Sequence, residues 1–504
     1  MRYFSTRNLN NRVTGAQAIL QGLASDGGLY VPETIPRVDF STWKTFSYTE
    51  IASRILSLYF TDFTDETIRN LVSRAYDARF SVDSKVRVRR ISPKRGYLEL
   101  WHGPTAAFKD MALSILPYLM QAAQEIEKKR QKVLILTATS GDTGKASMIG
   151  FSKNQDMGVL VFYPRAGVSA MQRRQMRSPE SPNALAVAVE GNFDDCQKAV
   201  KRIFADPMMK KRLFEQGIVL SSANSINIGR LVPQIVYYVY AYLEAVRNGV
   251  LSYGEKLSCS VPTGNFGDVL AGFYAREMGL PLGKLLVASN SNHVLTDFAR
   301  DGIYDKRRKL RLTASPSMDI LVSSNLERFL YLKLHDTEKV KQLMSDLETK
   351  GCFELPNPET KYAAEWIDEE KTGKEILRVW KESRYLIDPH TAVASASVPE
   401  NSDLPWLILS TASPYKFSEK VLEVLGADIN DDLQTRIDTL YRLTEAPVPE
   451  GLLRMFSQQS RQEITLPEDK LAHLVSKAAQ PVVDGQVDAL IESLLKGGVE
   501  WNKL

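Results

Sequence analysis

The chain has 504 residues, room for about two to four domains, and its 44% hydrophobic content excludes disorder on the scale of the whole chain. Its 64 lysines and arginines nearly balance 60 aspartates and glutamates, so the formal charge of +4 excludes a general attraction to nucleic acid or membrane surfaces. No apolar stretch approaches the ~20 residues that span a bilayer. Cys196, Cys259 and Cys352 lie far apart with no Cys-x-x-Cys pair, which argues for a reducing compartment and against a disulfide frame. None of the five histidines has a partner at His-x-x-x-His spacing, so no metal site is expected. The basic runs Lys128-Lys129-Arg130 and Lys306-Arg307-Arg308-Lys309 lack interleaved aromatics and read as solvated surface.

Between Tyr48 and Phe80 the apolar residues Ile51, Ile55, Leu56 and Tyr59, then Ile68, Leu71, Val72 and Tyr76, recur at helical spacing. This predicts a mainly helical N-terminal lobe, drawn as residues 1–95. From Tyr97 onward short apolar runs alternate with helices. Val133–Thr137, Val159–Tyr163, Leu185–Val189, 218–220 and Leu257–Val261 read as strands. Helices are expected over Gly144–Phe151, Ser169–Met176, after Phe193, over Asn227–Val246 and over Phe266–Met278. Such alternation implies parallel sheets with right-handed crossovers, hence an α/β core. Past the strand Leu285–Ala288, residues 301–311 read as a polar loop and the chain to about Trp380 as helices. The sheet resumes at Trp406–Ser410, so Thr411 falls at a strand's carboxyl end, where open α/β sheets hold ligands. We divide the chain into the N-terminal lobe, a catalytic core over 96–425 with a smaller lobe at about 133–230, and a C-terminal helical extension over 426–504 packed on the core.

Three segments suit anions. The turn Thr137-Ala138-Thr139-Ser140-Gly141-Asp142-Thr143-Gly144 joins an apolar strand to a helix start, where unpaired N–H groups and three hydroxyls can stabilise a carboxylate or phosphate, or simply cap the helix. It is no nucleotide P-loop, because Thr139 stands where that motif needs glycine and Ala146 where it needs Ser or Thr. The turn Pro262-Thr263-Gly264-Asn265-Phe266-Gly267-Asp268 has two glycines that let the backbone curve around one phosphate, with Asp268 an awkward neighbour unless it points away or caps the helix. Asn224, Asn227, Arg230 and Gln234 share one face at the start of the long helix and suit either an anion grip or capping. Finally, Lys109 follows Ala106, Ala107 and Phe108 in the run His102 to Asp110. A dry wall of this kind favours the free, nucleophilic amine. One amine and several anion cradles are the parts needed by pyridoxal phosphate with an amino-acid substrate.

Together with Thr6-Arg7-Asn8, the run Gly22 to Pro32, Asn224-Ser225-Ile226-Asn227, Asp388-Pro389-His390-Thr391-Ala392 and Thr411-Ala412-Ser413-Pro414, these segments resemble threonine synthase, a pyridoxal-phosphate family of the tryptophan-synthase-β fold group. The resemblance spans most of the chain. It implies fold type II, with two parallel-sheet αβα lobes and the cofactor, pyridoxal 5′-phosphate, between them. Lys109 would carry the cofactor aldehyde as an imine, Gly264, Asn265, Phe266, Gly267 and Asp268 would form the cofactor-phosphate loop, and Thr411 would meet the pyridine nitrogen. Ser140, Asp142 and Thr143 would take the substrate carboxylate, with Asn224, Ser225 and Arg230 on the substrate phosphate. The family shows more than one pattern in this division, and Asp142 stands where related enzymes often carry Asn.

The implied reaction is a β,γ-replacement that converts O-phospho-L-homoserine and water to L-threonine and phosphate, the last step of threonine biosynthesis. The alternative with the same parts is a phospho-lyase that eliminates phosphate to give 2-oxobutyrate and ammonia. Water must be excluded early and admitted late, so the smaller lobe is expected to close over bound substrate. The resemblance begins within the first ten residues, which assigns the basic start to the enzyme body and favours cytoplasmic residence. A monomer or homodimer is expected, and, with no obvious effector-binding module before the helical lobe, S-adenosylmethionine control is not.

Overall fold

The computed structural model describes residues 1–178, 180–355, 361–402 and 404–496; residues 497–504 of the expected C-terminal extension lie outside it. Its strands in chain order are β1 (Tyr3–Ser5), β2 (Asn8–Val13), β3 (Tyr30–Pro32), β4 (Arg87–Ser92), β5 (Arg95–Glu99), β6 (Lys132–Ala138), β7 (Met157–Pro164) and β8 (Ala184–Glu190). They continue with β9 (Ile218–Ser222), β10 (Leu257–Pro262), β11 (Leu282–Ser289), β12 (Ile303–Asp305), β13 (Cys352–Glu354), β14 (Ala363–Trp366), β15 (Trp406–Ser410) and β16 (Ile464–Pro467).

Two sheets organise the core. One runs β14-β11-β10-β15-β5-β4, parallel except for β4, and the other runs β16-β8-β7-β6-β9, parallel throughout. Helices cover the faces of such sheets, so their strands are apolar without alternation, and all eight residues of β7 are buried. The helix Ile228–Arg247 is apolar nearly all round and packs against both Tyr48–Tyr59 and Gly267–Glu277, anchoring the second lobe to the first.

The core strands and helices expected from the alternation are present, with boundaries displaced by a few residues. Three departures stand out. The first 95 residues carry a three-stranded antiparallel sheet, β2-β1-β3, besides their helices, and β4 extends the first large sheet. The stretch expected to be helical before Trp380 contains β14, which adds an edge to that sheet beside β11. The C-terminal extension supplies β16 to the second sheet, parallel to β8, so it is structurally part of the smaller lobe. Among the described residues no helix is long and apolar enough to cross a membrane.

Candidate active site

Lys109 stands at the entry of the short helix Asp110–Leu113, held by two sets of bonds. The Thr105 N–H and hydroxyl donate to the Asp110 carboxylate at 2.8 and 2.7 Å, closing a tight loop. Gly103 permits it, because a Cβ there would lie 2.5 Å from that of Asp110. The second set ties the loop to the end of β15: Phe108 N–H donates to Thr411 C=O at 2.8 Å, and Ser413 N–H to Ala106 C=O at 3.1 Å. Lysine and threonine are thereby fixed relative to each other in the lining of one cavity.

That cavity is lined by Phe108, Lys109, Ser140, Thr143, Asn224, Ser225, Arg230, the loop Pro262–Asp268 and Thr411. The structure thus brings together every sequence-named site residue except Asp142. Burial lowers the Lys109 amine from 10.5 to about 8; Asp142 and Asp268 raise its proton affinity, whereas Arg230 and Lys416 lower it. The ammonium lies 3.9 Å from the Phe108 ring centroid, so the apolar wall also offers a π face to the charged form.

Asp142, expected beside Ser140 and Thr143 in the substrate-carboxylate loop, is not among the residues that line the cavity. Its Oδ1 is 2.9 Å from Lys416 Nζ, both residues are buried, and Gln172 Nε2 donates to the same oxygen at 2.9 Å. Burial opposes its charge, but the Lys416 and Lys109 cations outweigh burial and hold the carboxyl well below the ordinary range. Lys416 also donates to Thr105 C=O at 2.9 Å, so the pair braces the Lys109 loop from behind. The rest of this turn keeps its expected geometry. Thr139 Oγ1 accepts from Gly141 and Gly144 N–H, and Gly141 has a φ of 142° with a Gln172 side chain where a Cβ would be. Lys145, the residue that mimicked a P-loop, pairs with Glu180 at 2.8 Å instead.

In the long-helix set, Asn227 is a capping residue. Its Oδ1 accepts from Gly229 N–H, and its amide donates to Ile19 and Ser222 C=O. Asn224 and Arg230 line the cavity, and Asn224 Oδ1 and Arg230 Nε are buried without a hydrogen-bond partner. Burial lowers the Arg230 guanidinium to about 10, which leaves it charged at neutral pH.

The glycine loop follows β10 and enters the helix Gly267–Glu277. Phe266 takes the left-handed conformation, φ 63°, which turns the chain into that helix start. Gly264 lies so close to the segment 313–325 that a Cβ would sit 2.3 Å from Ser317 O. Asp268 does not face an anion with its whole carboxylate. Oδ1 accepts from Tyr237 and Tyr238 hydroxyls at 2.6 and 2.9 Å, while Oδ2 is buried without a partner. Burial raises this carboxyl from 3.8 to about 6 despite the two donors and Lys109, which favour its charged form. Folding therefore carries a cost that sets in above pH 3.8 and is complete above about 6. Asp268→Asn should resist denaturant at least as well as the wild type at pH 7 and flatten the stability profile between pH 4 and 6. A lower midpoint with an unchanged acid profile would contradict this.

Sequence reasoning missed Lys416, Ser317 and Met318, and left His390 without a role although its motif was noted. His390 lines the cavity, and its Nε2 accepts from Ser317 N–H at 3.1 Å. The ring proton is thus on Nδ1, directed at Asp388 Oδ2 2.7 Å away.

A family model described as Threonine synthase N terminus matches residues 2–76. The chain is 35% identical to threonine synthase of Saccharomyces cerevisiae, over 85% of this chain and 90% of that protein. It is 38% identical to human Threonine synthase-like 1 over 95% of this chain, and spans 66% of that relative's length. The crystal structure of PLP-bound threonine synthase from Brucella melitensis superposes with a TM-score of 0.83 at 32% identity, covering 96% of this chain and 99% of the other.

Proposed function

We propose that this chain, which belongs to the threonine synthase family and has the fold of its pyridoxal-phosphate enzymes, converts O-phospho-L-homoserine and water to L-threonine and phosphate. The observation that carries the reading is one cavity in which a lysine of lowered proton affinity, a glycine loop at a helix start and an arginine with a buried unpaired Nε all converge. Pyridoxal 5′-phosphate fits these residues: an amine for its aldehyde, a close backbone turn for its phosphate, and a hydroxyl at a strand end for its ring nitrogen. Bound there, it supplies a conjugated ring that spreads negative charge developing at a substrate carbon.

In this reading the backbone of Gly264, Asn265, Phe266 and Gly267, at the start of the helix that carries Asp268, holds the cofactor phosphate, and Thr411 meets the ring nitrogen. Arg230 Nε, with Asn224 and Ser225, grips the substrate phosphate, where a charged fork is worth more than in water because the site is dry. Ser140 and Thr143 orient the substrate carboxylate. Asp142 acts through Lys416 and touches no substrate. Lys109, partly free amine at neutral pH, takes a proton from Cα and then one from Cβ as phosphate leaves Cγ with the C–O bonding pair; a proton is then delivered to Cγ, water adds at Cβ and gives up a proton, and Cα regains one. Phe108 and Met318 keep bulk water from the amine until that last step.

Chromatography of products from purified protein, cofactor and O-phospho-L-homoserine tests the reading. Equal amounts of L-threonine and phosphate are expected; 2-oxobutyrate with ammonia would replace the synthase reading by the eliminating one. Gly264→Val should lose cofactor retention by about tenfold or more, since the new side chain would displace the loop from Ser317. Equilibrium dialysis measures it.

A further inference from the structure

Arg328, on the helix Leu326–Leu334, is fully buried and lies outside the cavity. Its Nε donates to Tyr30 C=O at 2.9 Å. Nη1 donates to Asn325 Oδ1 at 2.6 Å and Ser225 C=O at 3.3 Å, and Nη2 to Ile226 C=O at 2.5 Å. Every one of these acceptors is a neutral oxygen. The adjacent carboxylate, Glu327, is committed to Arg7, whose Nε and Nη2 reach its two oxygens at 2.8 Å each, and to the Thr6 hydroxyl at 2.6 Å. Among the described residues Arg328 forms no ion pair.

Asn325 passes the connection on. Its Nδ2 and its backbone N–H both donate to Asn265 C=O, at 3.1 and 3.0 Å. The two anion loops meet at this point, because a Cβ on Gly267 would stand 3.4 Å from Ser225 Cβ and 3.6 Å from Asn325 Nδ2. Arg328 therefore bonds directly to the segment that carries Ser225 and, through Asn325, to the loop that carries Gly264 and Gly267. A guanidinium presents its donors in a rigid planar fork, so three segments distant in sequence are set at fixed angles to one another. The peptide bond between Ser225 and Ile226 is trans, so the N–H of Ile226 points opposite to the Ser225 C=O that Arg328 holds.

We infer that Arg328 is a positioning residue that holds the two anion loops in register and, as a buried cation without a carboxylate partner, biases the cavity between them toward doubly charged phosphate groups. Removing one partner of a buried charge-assisted bond is costly, and here the loss falls on the loops. The inference deepens the proposed function and rests on it for the identity of the two anions. It does not depend on which product forms.

The test uses the holoenzyme and two variants. Arg328→Lys keeps the charge but loses the fork; Asn325→Ala leaves the charge and removes the side-chain relay, both the Oδ1 that accepts from Arg328 and the Nδ2 that donates to Asn265 C=O, so that only the backbone N–H still reaches the glycine loop. Expected for Arg328→Lys are a rise of about tenfold in KM for O-phospho-L-homoserine and in the inhibition constant of inorganic phosphate, a faster release of cofactor, and kcat changed far less. Asn325→Ala should speed cofactor release, followed by the visible absorbance, and leave phosphate inhibition within about twofold. A folded Arg328→Lys protein with wild-type phosphate inhibition and cofactor release would overturn the inference, as would an Asn325→Ala protein with unchanged cofactor release. Should Arg328→Lys fail to fold, the Asn325→Ala release rate decides. If the wild type turns over no O-phospho-L-homoserine, the proposed substrate fails while cofactor release still reads the positioning role.

Discussion

Lys109→Ala protein should turn over O-phospho-L-homoserine about a thousandfold more slowly than the wild type, or worse, because it loses both the covalent anchor and the proton carrier. The loss should be in kcat. The grip proposed for Arg230, Asn224 and Ser225 on the substrate phosphate does not involve Lys109, so KM should change much less. Three side readings accompany this one. The visible band that borohydride abolishes in the native protein should be missing, and mass spectrometry of the reduced wild type should map the label to Lys109. The variant's unfolding midpoint should be no lower than that of the cofactor-free wild type, because a buried lysine lowered to about 8 is a cost to folding at neutral pH that is relieved only as pH rises past that value. Finally, imine formation in the cofactor-free wild type should accelerate with pH and level off above about 8, as the amine loses its proton. A Lys109→Ala enzyme with near-native turnover would overturn the assignment.

Asp142→Ala should destabilise the fold by about 3–5 kcal/mol at neutral pH, since it leaves the Lys416 ammonium buried with only the Thr105 carbonyl for company. Denaturant titration measures the shift, and the double variant Asp142→Asn with Lys416→Met should lose much less, because then neither charge is buried. The sign with pH follows from the direction of the shift. The native carboxyl is held below its ordinary value, so its stabilisation is present above the ordinary range and disappears only as pH falls through the depressed native value. The wild type should therefore show a strongly acidic loss of stability that Asp142→Ala lacks. Activity carries a second signature. Asp142 raises the proton affinity of Lys109, so in its absence the midpoint for imine formation should move below about 8. If the single variant were as stable as the wild type, or the midpoint moved upward, the buried pair would not be the brace behind the Lys109 loop.

The outcome at Asp142 also shows where reading a chain stops. The turn was visible in sequence because its meaning is local: an apolar strand, a Thr-rich bend, a glycine, a helix start. The side chain's partner was not visible, because Lys416 is 274 positions away and belongs to no motif that points to Asp142. The same applies to His390, whose motif was noticeable while its contact with Ser317 N–H was not, and to Arg328, which no local pattern distinguishes from a surface arginine. Short strands escaped for another reason. β2 reads Asn-Leu-Asn-Asn-Arg-Val and β14 only Ala-Ala-Glu-Trp, too polar or too brief to show a period, and each exists because a neighbouring strand offers it a ladder.

What could be known from the order of residues was what the backbone and burial impose over a few turns: the strand and helix alternation of the core, the strand end bearing Thr411, the two strand-to-helix bends with their glycines, the dry wall before Lys109, and the family motifs. What required the folded chain was every pairing across distance, including the meeting of Lys109 with Thr411, the commitment of Asp142 to Lys416, and the arginine behind both loops. Hydrogen bonds and ion pairs have energies set by ångström separations and by exclusion of water, and neither quantity is encoded in spacing along the chain.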